Sequence, residues 1–259
     1  MDNDFFLLDV PEYIPQYDSN IKYSYSDTQM KKELLRFLCS VSNGYCMYCY
    51  NKIKVNGNIY ADLEHGMEKN IAKKILVDCI PNIGISCSKC NQKYKRYMEK
   101  KRVLYMKKRI VGLDECKNKI CNKPCNEMIK LRKEYISNGK ILIHPFENYL
   151  LEQHKLRLQY DLLNARYIPS QKLAYTEEEK KIIEGHINLF QLNRPQRRNR
   201  EVPQYCKNVI DQGCLLIGVK YNNYMVELLQ QKLRDLNSLE KAIEVCKIIY
   251  FMNFVKMAT

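Results

Sequence analysis

The chain has 259 residues, 46% of them apolar, enough to bury a core without disulfide staples. Its 43 Lys and Arg against 29 Asp and Glu give a formal net charge of +14, which favours a polyanionic partner, nucleic acid ahead of a lipid surface. The absence of any run of about 18 apolar residues excludes a membrane-spanning helix.

The opening stretch MDNDFFLLDVPEY is acidic and lacks the basic and apolar regions of a signal peptide, so the expected location is cytoplasmic. There the 12 cysteines are expected to be reduced, and metal binding becomes the leading role for well-spaced pairs. Residues 1–27 carry six acids and one base and read as an extended arm docked on the domain or on a partner. A helix is predicted over 28–41, with Leu34, Leu35, Phe37, Leu38 and Val41 on its apolar face and Asn43-Gly44 as its stop. YCMYC (45–49) reads as a tight knuckle. Two short strands are expected about the Asn56-Gly57 turn, then a connector over 66–80 and a strand over 82–86. A basic helix is predicted from Ser88 to about residue 110, because Lys89 to Arg109 holds ten basic residues and one acid, with Tyr94, Tyr97, Met98, Leu104 and Tyr105 near helical spacing.

Residues 111–125, with Cys116, Cys121 and Cys125, read as a loop, and a helix follows over 126–137. KLRLQY (155–160) is an alternating strand that RYIPS (166–170) can pair with across Asn164. Thr176 and Glu179 form a capping box before a helix buried through Ile182, Ile183, Ile187 and Phe190. Two or three further helices fill 204–257, the last strongly apolar through Ile243, Cys246, Ile249, Tyr250 and Phe254.

Chemistry concentrates between residues 46 and 91. Cys46/Cys49 and Cys87/Cys90 are two CxxC pairs, and two such pairs close a tetrahedral zinc site. Glu64-His65 ends a strand inside the bracketed segment, and Asn91 directly follows the last cysteine. A carboxylate and an amide oxygen suit Mg²⁺ or Mn²⁺, while His65 is free to take a proton from water attacking a phosphodiester. Cys116, Cys121 and Cys125 are an incomplete ligand set, read as surface thiols ahead of a second metal site. Cys39, Cys79, Cys206, Cys214 and Cys246 read as core packing, and His154 and His186 as structural.

CxxC, then Glu-His, then Asn-x4-CxxC-Asn resembles the zinc-containing HNH (ββα-metal) endonucleases, with most likeness to Septu-type anti-phage subunits that act beside an ATPase. Those carry a segment like EHF-x-PK, where this chain has Glu64-His65-Gly66-Met67-Glu68-Lys69. The resemblance implies that Asn82 fixes the loop bearing His65, and that Asn91 replaces the final His of the HNH name. The family's phosphate-binding Lys falls on Tyr94, flanked by Lys93 and Lys95. Fainter likeness extends through Ile143-His144-Pro145 to INLFQLNR (187–194) and Arg197, Arg198 and Arg200.

The expected fold is α+β: a small zinc-stapled ββα-metal core embedded in a mainly α-helical chain. The arm would span 1–27, the nuclease core 28–110 and a helical region with a short hairpin 111–259. The expected activity is endonucleolytic, on DNA or possibly RNA, as the effector of a bacterial defence system with an ATPase partner. Two alternatives stay open: a non-catalytic zinc module that binds nucleic acid, and a stand-alone restriction or homing enzyme.

Overall fold

The computed structural model describes residues 3–18, 20–109, 124–139, 141–142, 155–195, 197, 199–216, 218–219 and 221–258. It is mixed α and β, with small antiparallel sheets among helices. Helix α1 (Thr28–Val41) starts where the Asp27 carboxylate accepts the Met30 N–H, and it buries Leu34, Leu38 and Cys39. Strands β2 (Lys54–Val55) and β3 (Asn58–Ile59) turn through Asn56 and Gly57, whose φ of 49° and 83° suit a tight hairpin turn. Strands β4 (Asp62–His65) and β5 (Ile83–Ser86) pair antiparallel, His65 opposite Ile83 and Asp62 opposite Ser86. A short helix α2 (Lys73–Leu76) lies between them.

The stretch read from the sequence as one basic helix is two. Lys89–Lys95 is π-helical, Met98 adopts a left-handed φ of 63°, and α3 (Glu99–Lys107) then begins on a new axis. A π turn holds more residues than an α turn, so side chains after it rotate off the expected face. Tyr94 and Lys95 turn inward, while Tyr97 and Met98 turn out.

Residues of the acidic arm do more than extend. Leu7–Asp9 (β1) is the edge strand of a three-stranded sheet with β6 (Leu158–Asp161) and β7 (Arg166–Pro169), in the order β1-β6-β7. Phe6, Leu8, Val10, Tyr13 and Tyr23 from the arm are buried. Helix α4 (Asn126–Gly139) packs beside α3. The capping box at Thr176 opens α5 (Glu177–Leu189), which lies on β7. Helices α6 (Glu201–Gln212), α7 (Tyr224–Arg234) and α8 (Leu239–Ala258) complete the chain, with α6 packed along α8.

The segments 1–27, 28–110 and 111–259 contribute to one continuous buried cluster. Asn51 bridges to Asn223, and the Tyr224 N–H donates to the Tyr50 carbonyl at 2.9 Å, fastening the start of α7 to the first cysteine knuckle. Cys39, Cys79, Cys206 and Cys246 are buried, but Cys214 is exposed, because it follows the left-handed Gly213 that ends α6. No helix among the described residues is long and apolar enough to cross a membrane.

Candidate metal centre and adjoining cleft

The thiols of Cys46, Cys49, Cys87 and Cys90 lie within 4.8 Å of one another and can hold a metal ion. Each pair sits on a turn that aims both sulfurs the same way. In the first, the Tyr50 N–H donates to the Cys46 carbonyl at 2.9 Å, and Tyr50 takes a left-handed φ of 60°. In the second, the Asn91 N–H donates to the Cys87 carbonyl at 3.0 Å as the π-helical turn begins. Cys49 and Cys87 sulfurs are 3.8 Å apart. That is too far for a disulfide and equals the edge of a zinc–thiolate tetrahedron, about 3.8 Å for bonds of about 2.3 Å.

The charge pattern also calls for a cation. Hydrogen bonds from Cys46 hold the Cys49 and Cys87 thiols below their usual range, whereas burial pushes Cys46 and Cys90 up. Four thiols clustered this closely, three of them buried and Cys87 half-buried, cannot all ionise unless positive charge joins them. Part of it is Arg197, whose guanidinium stands 3.7 Å from the Cys90 sulfur and over the Tyr94 ring at 4.7 Å.

Beside this centre lies a small cleft of about 160 Å³ lined by Glu64, His65, Glu68, Asn91, Lys95 and Glu99. His65 and Asn91 therefore face one space, as do the strand end and helix start that carry them. His65 is 8% exposed. Its Nε2 lies 3.0 Å from the Val77 carbonyl, which can only accept, so Nε2 carries the proton and Nδ1 keeps a lone pair. Tyr25 meets the ring edge-on at 4.5 Å. The turn that carries Tyr25 is fixed by Asp78, which accepts from the Tyr25 and Ser26 N–H groups at 2.7 and 3.0 Å. Burial, then the charges of Lys69 and Lys31, hold the His65 imidazole below its usual range.

Asn82 is fully buried and clamps the turn after His65. Its amide donates to the Met67 carbonyl at 2.9 Å and accepts the Met67 N–H at 2.8 Å. Asn91 donates to Asp62 at 3.3 Å. Glu64 is 3% exposed, and both of its oxygens are engaged: one accepts from the Tyr48 hydroxyl, the other pairs with the Lys95 ammonium. Lys95 also donates to the His65 carbonyl, and burial drives its pKa well below the usual lysine range.

Sequence reasoning placed Lys95 beside the phosphate-binding position and missed its burial on Glu64, because a lysine in a basic run reads as solvated. It also missed the buried set Glu68, Arg102 and Tyr135. Arg102 pairs with Glu68 at 2.7 Å, and the Tyr135 hydroxyl donates to the same oxygen at 2.9 Å. Arg197 was singled out as part of a basic tail, but nothing in the sequence announces its contact with Cys90, 107 residues away. His186 is buried and its Nδ1 accepts the Leu142 N–H at 3.1 Å, a structural role. The Cys125 sulfur accepts the Met128 N–H at 3.4 Å, while Cys116, Cys121, residues 143–145, His154 and Arg198 lie outside the described residues.

No protein-family model matches the chain, nor does any curated protein or solved structure.

Proposed function

We propose that the protein is a metal-dependent HNH-type endonuclease, with a structural zinc at Cys46, Cys49, Cys87 and Cys90 and His65 as general base. One observation carries the reading: His65 and Asn91, 26 positions apart in sequence, line one cleft beside the four-thiol cluster. The order of β4, β5 and the helical segment from Lys89 is that of a ββα unit. The Nδ1 lone pair of His65 is the atom that takes the water proton, with Nε2 anchored on Val77. Asn82 holds the turn that aims it. Glu64 and Asn91 line the cleft and would hold Mg²⁺ or Mn²⁺, Glu64 by giving up its Tyr48 or Lys95 partner, and such an ion would supply Lewis-acid stabilisation of phosphate charge. The strongly basic chain suits a DNA or RNA substrate. An ATPase partner and a role in anti-phage defence extend the same reading. The test is cleavage of plasmid, single strands and RNA by the purified chain with Mg²⁺, and loss of cleavage in His65→Ala.

Its pH dependence has a definite sign. A depressed imidazole pKa keeps the base form present at neutrality, so the rate should climb along an acidic limb centred below about 6.5 and stay level through neutral pH. The unfolded chain takes up this proton first as pH falls, so His65 costs the fold stability below about pH 6.5. A pH–rate profile centred above neutrality would exclude His65 as the base.

Glu64 offers a second test. Lys95→Met leaves the buried Glu64 carboxylate with the Tyr48 hydroxyl but without its lysine, a loss of up to about 3–5 kcal/mol. If Glu64 accepts a divalent ion, Mg²⁺ should raise the melting temperature of Lys95→Met more than that of the parent. Equal responses would remove Glu64 from the ligand set.

A further inference from the structure

A larger groove is lined by other residues of the segment 93–102 than those that line the His65 cleft. It encloses about 800 Å³ between α3, the end of α4 at Asn138–Gly139 and the end of α5 at Gly185–Leu189. Lys93, Lys101 and Arg194 line it and are exposed, and no carboxylate lines it among the described residues. Tyr97 stands in the same wall and is 68% exposed. Among the described tyrosines only Tyr60 is comparably exposed. Two neighbouring rings are already covered by cations: Tyr105 by Arg109 at 3.6 Å and Tyr94 by Arg197 at 4.7 Å. Tyr97 has no ring or cation over it among the described residues.

Although the ring is exposed, the main chain at Tyr97 is held. Its carbonyl accepts from Arg102 at 2.7 Å, and Arg102 is itself locked on buried Glu68. The left-handed Met98 next to it makes the corner that turns the ring out. An exposed aromatic face beside three exposed cations is the arrangement that stacks a base and neutralises its flanking phosphates. A duplex hides its base faces in its own stack, so only an unpaired strand can use this ring.

We infer that this groove binds a single-stranded nucleic-acid segment, with Tyr97 as the stacking platform and Lys93, Lys101 and Arg194 as phosphate contacts. The inference rests on the nucleic-acid reading above but not on its cleavage step. The groove takes Lys93, Tyr97 and Lys101 from this segment, while the cleft with His65 takes Lys95, Arg96 and Glu99 from it. The groove therefore selects an unpaired stretch over a duplex.

The test uses the full chain carrying His65→Ala, so that no strand is consumed. The probe is a short oligonucleotide with a central 2-aminopurine, free or annealed to its complement. Binding should quench the fluorescence of the free strand. Tyr97→Ala should weaken that binding at least about fivefold and abolish the quench, as loss of one stacked base does, while Tyr97→Phe retains both. Lys101→Ala with Arg194→Ala should reduce the slope of log affinity against log salt by about 1.4. The duplex should bind more weakly and ignore Tyr97→Ala.

An unchanged strand affinity in Tyr97→Ala would overturn the inference. So would displacement of the strand by an equal concentration of AMP, which would mark a mononucleotide pocket instead. Tyr97-dependent binding in a chain that never cleaves leaves the inference standing and ends the nuclease reading. Cleavage without any Tyr97 dependence does the reverse.

Discussion

Stripping the metal from the four-thiol centre is expected to unfold the whole chain rather than loosen one loop. Structural zinc supplies roughly 10–16 kcal/mol of apparent binding energy, whereas a domain is stable by only about 5–15 kcal/mol in total. The packing says why the loss spreads. Met47, Tyr48 and Tyr50, interleaved with Cys46 and Cys49, are at most 1% exposed. Tyr48 stacks on Phe190 at 4.4 Å, and Tyr50 stacks on Tyr13 at 6.3 Å and Tyr167 at 5.7 Å. The knuckle thus touches α5, the N-terminal arm and the three-stranded sheet together. Cys46→Ser or a strong chelator should release one zinc per chain, and circular dichroism should show a single cooperative loss of structure. A chain that keeps its melting temperature without metal would show that thiol packing alone holds the knuckles, and the zinc assignment would fail.

Features written in neighbouring residues were legible. The helix over 28–41, the hairpin at Asn56-Gly57, the capping box at Thr176 and the pairing across Asn164 each follow from a few contiguous side chains. The two CxxC pairs were legible too, because each sets its own local geometry. What escaped depends on residues far apart or on a change of helical period. The π-helical turn from Lys89 carries one lysine of a basic run into the core, onto Glu64, where a 3.6-residue period gives no warning. The contact of Asn223 with Asn51 spans 172 positions, and nothing in either segment announces the other. Acidic character hid the part that residues 7–9 play in the sheet, since a three-residue edge strand has too few side chains to show alternation.

His65→Ala is expected to reduce nucleic-acid cleavage by about 10²–10⁴-fold while the zinc content stays at one per chain. The deletion alone is ambiguous, because the ring also packs on Tyr25 and anchors on Val77. Removing a buried, hydrogen-bonded ring costs about 1–3 kcal/mol, and a merely destabilised protein also loses activity. His65→Gln separates the two causes. A glutamine amide can donate to the Val77 carbonyl as Nε2 does, yet it has no lone pair basic enough to take a proton from water. If the histidine serves chemistry, His65→Gln should melt close to the parent and cleave as poorly as His65→Ala. If it serves packing, His65→Gln should recover cleavage along with stability. Measured turnover at a temperature well below both melting points decides between them. Recovery of cleavage by the glutamine variant would leave a zinc-stapled, basic protein whose work is to bind nucleic acid rather than cut it.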